Sequence, residues 1–194
     1  MTAKKKKRIL ILTVCALLLL ALTVWVLWAN TALILSVHTI ESENLPASFD
    51  GYRIAHLSDL HNAEMGKHNA KLLAMLREAE PDIIVITGDM IDCHRTDINI
   101  ALRFAEEAIK IAPCYYVAGN HEERIGEEYD RLKNGLIELN VTVFEDEKME
   151  LERGGEVISL MGVEDPGFQT YYLSKDCAAV MENKLQKIGI EENR

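Results

Sequence analysis

Cysteine and proline are scarce, with four of each in 194 residues. Cys15, Cys93, Cys114 and Cys177 are unevenly spaced and form no CxxC pair. That argues against a disulfide framework and reads as unpaired, mostly buried thiols. No internal repeat is present, and the only low-complexity tract is a lysine run. Positive charge is also scarce after the first few residues. Lys4, Lys5, Lys6, Lys7 and Arg8 precede any acid, yet the whole chain carries a formal charge of −10. The remainder is therefore strongly acidic and a poor partner for bare nucleic acid, so no nucleic-acid partner is expected. A small phosphorylated substrate is not excluded, because bound metal ions reverse the local field.

One long apolar run is present. Ile9 to Trp28 (ILILTVCALLLLALTVWVLW) contains no charge. About 20 apolar residues span roughly 30 Å of hydrocarbon as a helix. Trp25 and Trp28 fall near its far end, where indole rings favour the interface. The basic residues before the run place the N-terminus in the cytoplasm and the rest of the chain outside it. A cleaved signal peptide shares the basic start and apolar stretch. The run is long for a signal sequence, and Ala29-Asn30-Thr31 is a poor cleavage site, so an anchor is the expectation. The expected organisation is a basic cytoplasmic segment at 1–8, a transmembrane anchor at 9–28, a linker with a first strand at 29–50 and a globular part at 51–194. Within the linker, Ala32–Val37 reads as a short strand or a continuation of the anchor.

The globular part alternates strands and helices. Arg53–Ser58 reads as a strand. Lys67–Ala79 reads as a helix with Leu72, Leu73, Leu76 and Ala79 on one face, stopped by Pro81. Asp82–Thr87 (DIIVIT) is a continuous apolar, β-branched run, as in a strand covered on both faces. Asp97–Ile111 is a second helix, and Tyr115–Ala118 a third strand. Strand–helix–strand–helix–strand predicts a parallel sheet with crossover helices. A Glu-rich helix near Gly126–Leu139 and a strand near Val141–Phe144 follow. Lys148–Arg153 and Glu156–Val163 form a hairpin across Gly154-Gly155, and a last helix covers Tyr172–Ile188.

Ligands of such sheets bind beyond the carboxyl ends of the strands. There the chain reads Ser58-Asp59-Leu60-His61, then Gly88-Asp89-Met90-Ile91-Asp92, then Gly119-Asn120-His121-Glu122. All three segments bring carboxylate, imidazole or amide groups to one sheet edge. Oxygen donors mixed with imidazole nitrogen suit Mn, Fe, Zn or Mg. Asp59 and His61, two apart on an extended chain, point the same way. Gly88 and Gly119 permit a tight turn out of the strand. Each piece alone is weak; the ordered conjunction is specific. Read blandly, Asp59, Asp89 and Asn120 are helix caps or turn residues. His56 packs or caps, His68 is solvated, His94 sits where substrate contacts concentrate, and Asp165 forms a turn before Pro166. Glu122 and Glu123 charge or cap the start of the next helix.

D-x-H, G-D-x-x-D and G-N-H-E, in the settings RIAHLSDLHN, PDIIVITGDMID and YYVAGNHEE, with MGVEDP after them, resemble the first blocks of the calcineurin-like metallophosphoesterases. The likeness is to their membrane-associated bacterial branch and covers about Leu45 to Gly167. It implies an α/β fold, the N-terminal half of a metallophosphoesterase β-sandwich flanked by helices, preceded by one transmembrane helix. It implies metal-dependent hydrolysis of a phosphomonoester or phosphodiester by two divalent metal ions. Asp59 and His61 would hold one ion, Asp89 would bridge both, and Asn120 would hold the second. His121 would protonate the leaving oxygen or stabilise charge there, and Asp92 would orient His121 by hydrogen bonding. Two cations roughly 3.5–4 Å apart can clamp a phosphoryl group. Such an anchored enzyme would act on a phosphorylated small molecule or a lipid-linked envelope substrate.

Two departures stand out. Protein phosphatases of the superfamily carry Arg directly after the residue matching Asp92, where this chain has Cys93, His94 and Arg95; that speaks against a protein-phosphatase role. The later histidine blocks of the family have no counterpart, since no histidine follows His121. The expectation is therefore a chain shorter than a complete enzyme, with a catalytically incompetent fragment or a membrane-tethered binding module as alternatives.

Overall fold

The structure, a computed structural model, describes residues 2–166 and 177–189. It divides into two units, Met1–Val37 and His38–Arg194.

The first unit is one helix, α1 (Ala3–Thr31). A stretch of 24 residues, Ala3–Val26, is long and apolar enough to cross a membrane, and none of it is buried against protein. The helix starts earlier than the apolar run, so Lys4–Arg8 are helical instead of forming a separate segment. It closes when the Ala32 N–H bonds to Trp28 O at 2.8 Å. Ala32–Val37 then forms neither strand nor helix, contrary to expectation. An extended segment needs a partner edge to be a strand, and no described strand pairs with it.

The second unit carries a four-stranded parallel sheet in the order β1 (Ile54–Leu57), β2 (Ile83–Thr87), β3 (Cys114–Val117), β4 (Thr142–Phe144). The crossovers contain α2 (Ala70–Ala79), α3 (Ile98–Ala108), the short α4 (Asn120–Arg124) and α5 (Glu127–Glu138). Sequential strand order with right-handed crossovers puts the helices on one face. Helix-period apolar residues pack there: Leu72, Leu73 and Leu76 of α2, Ala101, Phe104 and Ala105 of α3, Leu132 and Leu136 of α5. Ile84, Ile86 and Tyr116 are the buried strand residues that alternate toward this face.

The opposite face meets an antiparallel hairpin, β5 (Glu147–Arg153) and β6 (Glu156–Gly162). Phe49, Ile83, Tyr115, Phe144 and Leu151 make the core between them, with Tyr52, Val85, Met149, Ile158 and Leu160 packed around it. Burying such side chains contributes roughly 1.5–3 kcal/mol each. Polar ties fix the hairpin to the start of the unit. The Ser48 N–H donates to Glu156 at 2.7 Å, Arg153 lies 3.4 Å from Asp82 and its guanidinium stacks 5.2 Å from the Tyr52 ring. The hairpin covers β2 to β4 and leaves Ile54 of β1 52% exposed.

Strand positions match the expectation to within a residue or two. The first helix is shorter than expected: Lys67–Asn69 is a 3-10 turn with His68 at φ 53° and Asn69 at φ 60°, so α2 begins at Ala70. Asp97 caps α3 by accepting the Asn99 N–H at 3.0 Å. The last helix, α6, runs Cys177–Ile188, and residues 172–176 of the expected span lie outside the described residues.

Candidate metal and phosphoester site

The site grows from three loops that stack on one another. The innermost is anchored by Glu122, which is fully buried. Its carboxylate accepts the N–H groups of Asp89 (2.8 Å), Met90 (2.8 Å), Ile91 (3.4 Å) and Gly119 (2.9 Å). Burial pushes this carboxyl above the usual carboxylate range, against the N–H donors that pull it down. Among the described residues no Lys or Arg pairs with it, so backbone dipoles alone support its charge.

The loop after β2 is thus pinned, and it templates the loop after β1. The Asp59 N–H donates to Gly88 O at 3.3 Å, His61 N–H to Asp89 O at 2.9 Å, and Asn62 N–H to Met90 O at 3.0 Å. Asp59, His61, Asn62 and Asp89 all have positive φ, 56°, 46°, 60° and 53°. The sequence reading of an extended Asp59–His61 pair is therefore corrected. The two side chains meet because the chain coils in the left-handed region, which costs about 1–2 kcal/mol per residue and needs outside bonds to persist.

Gly88 makes the expected turn out of its strand, whereas Gly119 acts differently. Gly88 has φ +82°, and a Cβ there would lie 2.5 Å from Gly119 Cα. Gly119 is in ordinary extended backbone, φ −100°; it is required because a Cβ would strike the Asp89 carboxylate. The two glycines let the ends of β2 and β3 touch.

The side chains converge as follows. His61 Nε2 lies 3.6 Å from Asp59 Oδ1 and 3.9 Å from Asp89 Oδ2. The Asp59 side chain is 66% exposed and that of Asp89 only 12%. His61, Asp89 and His121 bring ligand atoms within 4.8 Å of one another, and the His61 and His121 rings stand edge to face at 4.4 Å. The His121 N–H donates to Asp89 Oδ1 at 2.9 Å. Asn120 is the first residue of α4, half-buried, between Gly119 and His121.

Asp92 does not hydrogen-bond His121. Its Oδ1 is 4.0 Å from His121 Nδ1, too far for a hydrogen bond. Instead it accepts the His94 N–H at 2.9 Å, and that bond, with Arg95 and the His94 side chain nearby, lowers its pKa. The Cys93 N–H takes the expected place, donating to His121 Nδ1 at 3.1 Å. An Asx-type turn satisfied within 92–94 explains why the carboxylate stays local. His94 is 78% exposed, and its ring lies 6.2 Å from that of His121. His56 Nε2 lies 2.7 Å from Thr87 Oγ1, and the Asp165 N–H docks on Ala118 O at 3.3 Å. Glu122 caps the start of α4, as one of the two sequence readings had it, by accepting the Gly119 N–H, but it is buried and also holds the loop after β2. Its position three residues after Gly119, opening α4, was the available signal, since an acid there commonly reaches back to the N-cap N–H.

The donor set fits a hard or borderline divalent cation. Two carboxylates, imidazole and an amide share one edge, and among the described residues no Lys or Arg pairs with Asp59 or Asp89. His61 Nδ1 is buried with no hydrogen-bond partner. Such a set of donors, with no matching protein cation among the described residues, is one that a divalent ion would suit.

The sequence profile of the calcineurin-like phosphoesterase family matches residues 52–179. The chain belongs to that family. It is 30% identical over 129 residues to uncharacterized metallophosphoesterase YkoQ of Bacillus subtilis (strain 168), covering 64% of this chain and 47% of that protein. It is 33% identical over 88 residues to a transmembrane protein with metallophosphoesterase domain of Danio rerio, covering 43% of this chain and 20% of that one. Over 60 residues it is 43% identical to uncharacterized metallophosphoesterase YkuE of Bacillus subtilis (strain 168), covering 28% and 20%. The chain spans about half or less of the length of these curated relatives. Its apolar first helix and the relatives named as transmembrane proteins point weakly to membrane association.

Proposed function

We propose that this chain carries the first part of a dinuclear metal centre that hydrolyses a phosphomonoester or phosphodiester at a membrane surface. The observation behind the reading is the stacked pair of loops that bring Asp59, His61 and Asp89 beside Asn120 and His121 with no neutralising Lys or Arg among the described residues. Asp59 and His61 would hold one divalent ion, Asp89 would bridge, and Asn120 would serve the second. Bound there, the ions would polarise the phosphoryl group and lower the pKa of an attacking water. His121 accepts at Nδ1, so its neutral ring carries the proton on Nε2. That N–H would donate to the oxygen on which charge develops in the transition state. The Cys93 N–H fixes the tautomer, a task usually given to a carboxylate or carbonyl.

The basic residues before the apolar stretch of α1 favour a single pass with the N-terminus in the cytoplasm and the site outside it. A substrate near the membrane, either a phosphorylated small molecule or a lipid-linked envelope component, follows from that location. The test is turnover of bis(p-nitrophenyl) phosphate with added Mn²⁺, comparing the full-length parent protein with its Asp89→Asn variant. Turnover that needs Mn²⁺ and is lost in the variant supports the reading; equal turnover in both removes it.

A further inference from the structure

His121 faces two ways. One side belongs to the loops described above. On the Nδ1 side lie Asp92, Cys93 and His94, which the phosphoester chemistry leaves largely unused. Asp92, Cys93 and His121 place a carboxylate oxygen, a thiol sulfur and an imidazole nitrogen within 4.8 Å of one another. His94 adds a fourth donor: its Nδ1 lies 3.4 Å from Cys93 Sγ and 3.4 Å from Asp92 Oδ1. The Asp92 Oδ1 to His121 Nδ1 separation is 4.0 Å.

Those spacings are informative. Zn–S bonds of about 2.3 Å and Zn–N bonds of about 2.0–2.1 Å at tetrahedral angles require neighbouring donors roughly 3.3–3.6 Å apart. Of the six donor pairs, the two from His94 Nδ1 to Cys93 and Asp92 already meet that, the Asp92–His121 pair needs a few tenths of an ångström, and the His94 ring, 6.2 Å from that of His121, has to swing inward. Asp92 and His121 are mostly buried, at 16% and 19% side-chain exposure, while His94 is 78% exposed. The set therefore has a buried floor and an exposed side from which an ion can enter.

We propose that Asp92, Cys93, His94 and His121 form a separate binding site for a borderline-soft divalent cation of the Zn²⁺ class. Sulfur selects against Mg²⁺ and Mn²⁺, which favour the oxygen-rich donors of Asp59, Asp89 and Asn120. On binding, the Cys93 thiol releases its proton to solvent and the thiolate takes the metal. The His121 Nδ1 lone pair passes from the Cys93 N–H to the ion, which draws the ring toward the 92–94 loop. Binding rests on these four donors alone. Its effect on turnover, an inhibition by Zn²⁺ of Mn²⁺-supported hydrolysis, rests on the reading under Proposed function.

The test is a Co²⁺ titration of the whole chain in detergent under a phosphine reductant, followed by absorption spectroscopy. Co²⁺ on thiolate gives a near-ultraviolet charge-transfer band that an Asp, Asn and His site does not. The expected result is a band saturating at one equivalent in the parent chain. It is absent in Cys93→Ser and intact in Asp59→Asn. His94→Ala, at an exposed position, keeps the band but loses Co²⁺ affinity by about 10–100-fold, the scale that even supporting partners of a metal contribute. A band that survives Cys93→Ser assigns the thiolate to another cysteine and overturns the proposal. A band lost in Asp59→Asn shows one shared site and overturns it equally. Both outcomes are read without any turnover, so a failure of the phosphoester reading leaves them decisive.

Discussion

The loop after β2 and the loop after β1 both carry candidate metal-ligating side chains, yet they are held in different ways. Residues 89–91 are locked by a buried carboxylate. Residues 59–62 are fixed by hydrogen bonds to that first loop, and Asp59 projects into solvent. One loop is built into the core and the other is copied from it. Ligand geometry at Asp59 and His61 is thus inherited from Glu122, which touches neither.

Substitutions can separate the two loops. The largest effect is expected at Glu122→Ala, which strands buried N–H groups of the inner loop and removes the template for the outer one. Buried donors left unsatisfied cost about 1–3 kcal/mol each, so a loss of about 4 kcal/mol or more should appear in urea denaturation, together with loss of divalent binding. Gly88→Ala comes next. It adds a left-handed penalty of about 1–2 kcal/mol to a clash with Gly119, about 3 kcal/mol together. A melting temperature near that of the parent would contradict the packed inner loop.

Glu164 gives a pH-dependent effect of similar size. It is buried, and burial raises its pKa from 4.5 to about 7 against the pull of Lys184. Unfolded, the carboxyl loses its proton near 4.5; folded, it keeps it to about 7. The folded state binds more protons in that window, so stability falls as pH rises through it. Glu164→Gln should therefore stabilise the chain by roughly 2–3 kcal/mol at pH 8 and leave it unchanged below about pH 4.5. Parallel pH–stability curves would count against it. Asp59→Asn is the mildest for the fold. The metal-free chain should shift by under about 0.5 kcal/mol, while calorimetry shows Mn²⁺ affinity reduced by about 10-fold or more. If Asp59→Asn destabilised the fold as much as Gly88→Ala, the distinction between the loops would collapse.

Much of this was legible in the sequence. The apolar runs of DIIVIT and YYVA, and the helix-period leucines between strands, place the parallel sheet and its crossovers. The candidate ligand residues could be placed at one sheet edge because they follow those strands. Other features depend on contacts remote in sequence. Left-handed backbone at Asp59, His61 and Asp89 is only hinted at by residue type, since Asp and His enter that region more readily than most residues without requiring it. Glu122 could be read as a cap of the next helix, but its hold on the loop after β2 could not, because those partners lie about thirty residues back. The bond from Cys93 to His121 uses a backbone N–H, which every residue but proline has. Ala32–Val37 has strand-forming residues and no partner, a case where local propensity lacked a tertiary reason to act.

The order of these parts along the chain has a consequence for biosynthesis. Asp89 precedes Glu122 by 33 residues, and Asp59 and His61 come earlier still. A nascent chain exposes every acidic and imidazole donor of both loops before the residue that shapes them has been made. Until α4 is added, those donors belong to an unshaped chain with little power to discriminate between ions. Any selection between ions by these donors would wait until residue 122 has joined the loops.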